Sequence, residues 1–427
     1  IKQSLIAVYL SLCMLSKTTE PNNEVDEQAI YEFVASQNLI YSTNNDDPSI
    51  HMTTPQLIAS HGYISESHTI VTDDGYILTL HRIPYSRKSN STVSSRETVL
   101  IHHGLLSSSA DFVMPGPEKG LAYILSDAGY DIWLANVRGN TYSRAHVSLN
   151  TDSFEFWNFT FHEVGQHDLP AIIDYIIKIK GSYTEINYIG HSMGTTVLFA
   201  LLSTKTQYNE ILRAGFVLAP VAYMTNIKSP IHLLAKYSND IEFLLKLIGA
   251  NEFLPHDIVL RWLSKYACEL NRYEREICEN SIFMLCGFDE KQFNRTLLPI
   301  ILGHEPNGAS SKTLVHYAQE ISNTGRFQQF DYGVTGNIKA YGTLAPPEYD
   351  LRKITLPIAV LSADNDWLAS DVDVTNLVVK LPNLIEHYIV PLKEFNHVDF
   401  IFAKDAPKLV YDKLLQNHHP SFNLRED

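Results

Sequence analysis

Basic residues are few in this chain of 427 residues: 33 Lys+Arg stand against 48 Asp+Glu, a formal charge of -15. A field of that sign repels phosphate backbones and anionic membrane surfaces, which argues against a nucleic-acid partner and leaves a neutral or lipid ligand open. Cysteine is scarcer still, at four. Cys13 falls in a leader-like segment, leaving Cys268, Cys278 and Cys286 as an odd set. A local bridge between Cys268 and Cys278 with Cys286 buried and free fits the spacing, and so do three reduced thiols. There is no CxxC motif and no His/Cys cluster, so neither a metal nor a cofactor is called for. No repeat period runs along the chain. No apolar run reaches the roughly 20 residues that cross a bilayer, so no transmembrane anchor is expected.

What is present starts with Lys2 and an apolar run from Leu5 to Leu15, followed by the polar stretch KTTEPNNEVDE. That order reads as a secretory signal over residues 1–16, with a polar lead or propeptide over 17–50. The final stretch, with a polar tail at 419–427, carries no retention or anchor signal. Secretion or a lysosomal destination is the expectation. Three acceptor sequons suit that compartment: Asn90 in NST, Asn158 in NFT and Asn294 in NRT.

Apolar periods of two and of 3.6 alternate along most of the chain, the pattern of a doubly wound α/β fold with a mostly parallel sheet. Strands are expected at Tyr76 to Ile83, Thr98 to His102, Asp131 to Ala135, Ile186 to Ile189, Gly215 to Leu218 and Ile358 to Ser362, and helices at Leu169 to Ile179 and Thr195 to Thr204. Several of the strands are near-continuous apolar runs, as strands buried on both faces should be. The interval between Leu218 and Ile358 is far longer than one crossover needs. It is rich in helical patterns, with Ser229 as an N-cap, Pro230 at the first helical position, and Ile241, Leu244, Leu245 and Ile248 on one face. The reading is a helical cap or lid over 222–346 inserted between core segments 51–221 and 347–418. The amphipathic stretch SPIHLLAKYSNDIEFLLKLIG would face either lipid or the core.

The chemistry concentrates at Gly190-His191-Ser192-Met193-Gly194, between an apolar strand and a helix. A serine on so tight a strand-to-helix turn leaves no room for a Cβ two residues before or after it, which is why glycine stands at 190 and 194. A serine hydroxyl needs a base, and the base needs an orienting group. Asp364 and Asp366 both follow the strand Ile358 to Ser362, where such an acid belongs. His397, in Asn396-His397-Val398-Asp399, is the base; His191 belongs to the strand side of the turn, His387 lies inside a strand, and Asp399 reads as an N-cap. The oxyanion that forms on attack needs backbone N–H donors. Met193, after the serine, supplies one, and Leu105, in the loop His102-His103-Gly104-Leu105-Leu106, the other.

At this point the residues resemble the animal acid lipases, the family of gastric and lysosomal acid lipase, from about Pro55 to Leu415. The resemblance rests on VTDDGYILTLHRIP (71–84), HHGLLSSSADFV (102–113), GYDIWLANVRGNTYSRAH (129–146), GHSMGTT (190–196), ICENSIFMLCGFD (277–289), NDWLA (365–369) and NHVDFIFAKDAP (396–407). It implies an α/β-hydrolase fold with a cap, and a monomeric serine lipase that needs no metal. The implied substrates are neutral lipid esters, triacylglycerols or sterol esters, met at an oil–water interface or lipoprotein. The family's nucleophile falls on Ser192, its acid on Asp366 rather than Asp364, its base on His397, and its bridged cysteines on Cys268 and Cys278. Met193 stands where the family often has Gln, a change that spares a main-chain donor. The competing readings are a soluble carboxylesterase or serine peptidase on the same fold, and a catalytically silent lipid-binding relative.

Overall fold

The computed structural model describes residues 47–88, 96–181, 184–237, 240, 251–253 and 285–417. The signal, nearly all of the polar lead, Asn90, Cys268, Cys278, most of the amphipathic stretch after Pro230 and the polar tail lie outside the described residues.

The centre is an eight-stranded sheet in the order β1-β2-β4-β3-β5-β6-β9-β10. The strands are β1 (Glu66–Val71), β2 (Ile77–Ile83), β3 (Thr98–His102), β4 (Asp131–Leu134), β5 (Ile186–His191), β6 (Leu212–Leu218), β9 (Ile358–Ser362) and β10 (Leu384–Ile389). β1 pairs antiparallel with β2 and β2 with β4, and every other pairing is parallel. A separate ladder joins β7 (Glu252–Phe253) to β8 (Ala309–Ser310).

Burial explains which strands were legible. β3, β4, β5 and β9 are buried at every position, because helices cover both faces of a parallel sheet. β1 (ESHTIV) and β10 (LIEHYI) are the sheet's edges and only partly buried, so they carry polar residues and little apolar run. Leu169–Lys180 and Met193–Thr204 are the two expected helices, and each starts within two residues of its expected position.

The chain leaves the sheet after β6 and returns at β9. The described residues between include a 3₁₀ turn at Pro230–Tyr237 and helices Leu298–His304, Ser311–Ser322 and Gly333–Tyr341. Pro230 opens its element as expected, but as a 3₁₀ turn, and the helical face from Ile241 to Ile248 falls outside the described residues. Among the described residues no helix is long and apolar enough to cross a membrane.

Because the parallel strands all point one way, the loops after β3, β5, β9 and β10 emerge at one edge. Ligands of open α/β sheets bind in such a crevice at the carboxyl ends of the strands.

Candidate active site

Ser192 follows β5 directly and starts the helix Met193–Thr204 with φ 54° and ψ −119°, a conformation costly for a residue with a Cβ. The flanking glycines permit it. A Cβ on Gly190 would lie 2.9 Å from the Gly194 carbonyl carbon, and one on Gly194 would lie 2.5 Å from the His102 carbonyl oxygen. Leu106 and Ala219 are the other described non-glycine residues with positive φ, just beyond β3 and β6, so all three strained positions follow adjacent strands at this edge.

His397 Nε2 lies 2.8 Å from Ser192 Oγ, and His397 Nδ1 lies 2.8 Å from Asp366 Oδ2. Asp366 is fully buried, and its Oδ1 accepts from Leu368 N–H at 2.8 Å and Ala369 N–H at 2.7 Å. Of the two acids left open by the loop's residue pattern, the structure brings Asp366 to His397. Asp364 is exposed.

The loop after β3 packs on the serine: a Cβ on Gly104 would lie 3.1 Å from Ser192 Cβ and 3.5 Å from its Oγ. His103 orients that loop. Its Nε2 accepts from Val137 N–H at 3.3 Å, so Nδ1 carries the proton and donates to the Gly104 carbonyl at 2.8 Å. Burial pushes His103 down to about 3, keeping it neutral. Leu105, Leu106, Val137, Phe159, Met193 and Ala309 contribute to an apolar pocket beside this loop.

Asp399 departs from the sequence reading, whereas His191 and His387 lie on strands as expected. Asp399 is not the N-cap of its helix but its first residue, Asp399–Phe402. The N-cap position is Val398, and the side-chain acceptor comes from Asn396, whose Oδ1 accepts from Val398 N–H at 3.0 Å and Asp399 N–H at 3.2 Å, while Asp399 Oδ2 accepts from Asn396 N–H at 2.8 Å. His191 ends β5 as expected but also faces the site, with Nε2 3.0 Å from the His397 carbonyl. That nitrogen must donate, because its partner is a carbonyl oxygen and burial pushes the ring down to about 3. His387 contacts Ser362 Oγ at 2.8 Å rather than Ser192.

The segment Cys286–Asp289 was visible in the sequence only as part of a resemblance block. In the fold the Cys286 carbonyl accepts from Trp367 N–H at 3.3 Å and His397 N–H at 3.4 Å. The Gly287 carbonyl accepts from Asn396 Nδ2 at 2.9 Å, and the Phe288 carbonyl from Asn365 Nδ2 at 3.0 Å. One strap thus ties the loop of Asp366 to the turn of His397. Cys286 is buried and unbridged. Of the described sequons, Asn158 is exposed with Oδ1 accepting from Lys312 Nζ at 2.9 Å, and Asn294 is partly exposed with Oδ1 engaged by Thr296.

A second cross-link joins the loop after β3 to residues 305–307. Asp111 is buried and faces the carboxyl of Glu305, and Ser107 Oγ donates to Asp111 Oδ2. Asn307 N–H reaches both Glu305 Oε2, at 3.2 Å, and the Leu106 carbonyl, at 2.6 Å. Burial raises both acids above the ordinary carboxyl range. The folded protein therefore keeps protons that the unfolded chain has released, and this contribution to stability is largest below the usual carboxyl pKa near 4 and falls as pH climbs through the raised values. A thermal-unfolding series should show the melting temperature falling between about pH 4 and about pH 7, with a shallower fall in Asp111→Asn; parallel curves would refute this.

Residues 54–116 match the model of the partial alpha/beta-hydrolase lipase region, and 97–239 the model of the alpha/beta hydrolase fold. Mouse gastric triacylglycerol lipase is 40% identical over 86% of this chain and 92% of its own length. The chain belongs to the gastric and lysosomal acid lipase family. Human lysosomal acid lipase/cholesteryl ester hydrolase is 37% identical over 86% of this chain and 91% of its own, and Drosophila melanogaster lipase 3 is 40% identical over 84% and 91%. At 12% identity, a candidate lipase from Sulfolobus solfataricus shares the fold with a TM-score of 0.52, over 83% of this chain and 93% of that one. Membership makes the protein a carboxylic ester hydrolase of the serine lipase type.

Proposed function

We propose that this acid lipase family member hydrolyses neutral lipid esters through an acyl-enzyme on Ser192. The observation that carries the reading is the continuous chain Ser192 Oγ, His397 and Asp366, with both links at 2.8 Å, at the carboxyl edge of the sheet. His397 Nε2 takes the hydroxyl proton as Oγ attacks the ester carbonyl carbon. Asp366, held by two backbone N–H groups, keeps the proton of the imidazole on Nδ1 and balances the imidazolium that forms. The N–H groups of Met193 and Leu105 receive the oxyanion. Collapse breaks the ester C–O bond and returns the proton from His397 to the leaving alcohol. Water, activated by the same imidazole, then releases the fatty acid.

The apolar side chains beside Leu105 and Met193 suit an acyl chain better than a peptide backbone, which would need polar partners. Triacylglycerols and sterol esters are the proposed substrates, in keeping with the names of the mouse and human relatives. Residues 222–346 form the cap over core segments 51–221 and 347–418, and the protein works as a secreted or lysosomal monomer. With a charge of -15, adsorption to lipid rests on apolar surface rather than on charge. An alkyl phosphonate should add one phosphonyl group per chain, on Ser192, and emulsified trioleoylglycerol should be cleaved faster than a dissolved short-chain ester. An active protein with Ser192 unlabelled would overturn the mechanism; preference for the dissolved ester would overturn the substrate class.

A further inference from the structure

The strap that ties the two catalytic loops ends on an acid that faces another acid. Asp289 and Asp399 are both buried, at 3% and 2% exposure, and their carboxyl groups face each other. Asp289 Oδ1 accepts from Gln292 N–H at 3.1 Å, but Asp289 Oδ2 is buried with no N–H or O–H donor of the ordinary kind. Asp399 Oδ2 is engaged by Asn396 N–H. Two carboxylates cannot hydrogen-bond, since both are acceptors, and in a buried site they repel strongly. A single proton between them supplies the missing donor. Among the described residues neither acid is paired with Lys or Arg in a salt bridge, so no side-chain cation is seen to take the proton's place.

We propose that Asp289 and Asp399 are a positioning pair that shares one proton and so clamps the turn carrying His397 onto the strap Cys286–Asp289. The proposal rests on the reading of His397 as the base. Asp399 lies two residues beyond His397, and its carboxyl also orders Asn396, whose side chain bonds the Gly287 carbonyl. The clamp therefore bears on the contact between His397 N–H and the Cys286 carbonyl. The proton belongs on Asp399. Burial, with the charges of Asp289 and Asp366 adding to it, pushes that carboxyl up to about 8, whereas Asp289 is the accepting side.

The titratable groups around the pair come from each packed element: Asp366 from the loop after β9, Cys286 from the strap, and Glu394 from the chain entering the His397 turn. Lys404 directs its Nζ to the Lys291 carbonyl at 2.9 Å. The negative charges of Asp366 and Glu394 favour keeping the proton, and the neutral Cys286 thiol does not oppose it. With it in place, Asp399 is neutral and adds no second negative charge beside Asp366 and His397, and the base is not made harder to deprotonate in acid. Loss of the proton sets two carboxylates face to face and drives the strap from the turn. The clamp is thus closed in acid and opens as pH rises.

The test is kcat and KM on a dissolved ester, from about pH 4 to about pH 9, for wild type, Asp399→Asn and Asp399→Ala. Asparagine copies the protonated acid: it accepts from Asn396 N–H, donates to Asp289 and cannot ionise. Asp399→Asn should keep kcat in acid within about threefold of wild type and move the alkaline limb up by about one pH unit or more. Asp399→Ala should lower kcat by about tenfold or more at every pH, with KM within about twofold, because the turn moves while the binding surface stays. Superimposed alkaline limbs of wild type and Asp399→Asn would overturn the proposal, as would equal behaviour of the Ala and Asn variants. Should Asp399→Ala fail to fold, melting temperature against pH decides: a flatter curve in Asp399→Asn supports the shared proton, and parallel curves refute it. Phosphonate labelling of wild-type Ser192 separates the two failures. An unlabelled serine condemns the triad reading, while a labelled one with superimposed limbs condemns the clamp alone.

Discussion

Asp366→Asn is expected to lower kcat/KM by about 10⁴-fold with the fold intact. The size follows from which atoms the new amide can present. Asp366 Oδ1 accepts from Leu368 and Ala369 N–H, so the amide oxygen must stay there, and the NH₂ group turns to the place of Oδ2, 2.8 Å from His397 Nδ1. His397 Nδ1 then has to accept rather than donate. The imidazole proton moves to Nε2, which faces Ser192 Oγ at 2.8 Å and can no longer take the hydroxyl proton. The variant keeps every backbone hydrogen bond of the loop and loses the tautomer on which the chemistry depends. Kinetics on a soluble ester, with circular dichroism to check the fold, measures this. A loss below about tenfold would remove Asp366 from the proposed role. Asp364→Asn is the control, since that side chain is exposed, and it should match wild type.

The loop of Asp366 also marks the boundary between what a residue pattern specifies and what only the fold specifies. The central strands declare themselves because strands buried on both faces need unbroken apolar runs, and the turn at Ser192 declares itself because its backbone demands glycine at 190 and 194. Asp364 and Asp366 cannot be separated by any local rule: both lie in one polar loop, and only burial and the two N–H groups at Asp366 distinguish them. Asp399 misleads for a related reason. An acid just before a helical pattern resembles a cap, but Asn396 has the better geometry for that task and leaves Asp399 to face Asp289. The strap is the least legible feature. Asn396 and Gly287 are 109 residues apart, and no periodicity registers a contact between a side-chain amide and a backbone carbonyl at that distance.

Removing Arg138 should have the largest effect on stability, about 3 to 5 kcal/mol for Arg138→Met at neutral pH, because it strands a buried charge. Arg138 is 2% exposed and Asp168 is fully buried. Its Nε lies 2.8 Å and its Nη2 2.6 Å from Asp168 Oδ1, and its own N–H bonds Asp168 Oδ2 at 3.0 Å. The other face of the guanidinium reaches Asp74 at 2.6 and 2.9 Å, and its plane lies 3.9 Å from the centre of the Tyr76 ring. Asp74 is partly exposed, so water replaces much of what it loses; Asp168 has no such recourse. Burial alone drives the Asp168 carboxyl upward, and the guanidinium opposes that. Without Arg138 the native state must bind a proton at Asp168 that the unfolded chain releases near pH 4, so the penalty is full at neutral pH and shrinks as pH falls toward 4. Denaturant unfolding of wild type and variant at about pH 7 and about pH 4 measures both the size and the sign. A penalty that is equal at the two pH values, or below about 1 kcal/mol at neutral pH, would contradict it. Arg138→Lys should restore little of the loss, because a single ammonium cannot bridge two carboxylates while stacking on a tyrosine ring. Arg138 also lines the pocket beside Leu105 and Met193, so ester hydrolysis should fall in the variants that still fold.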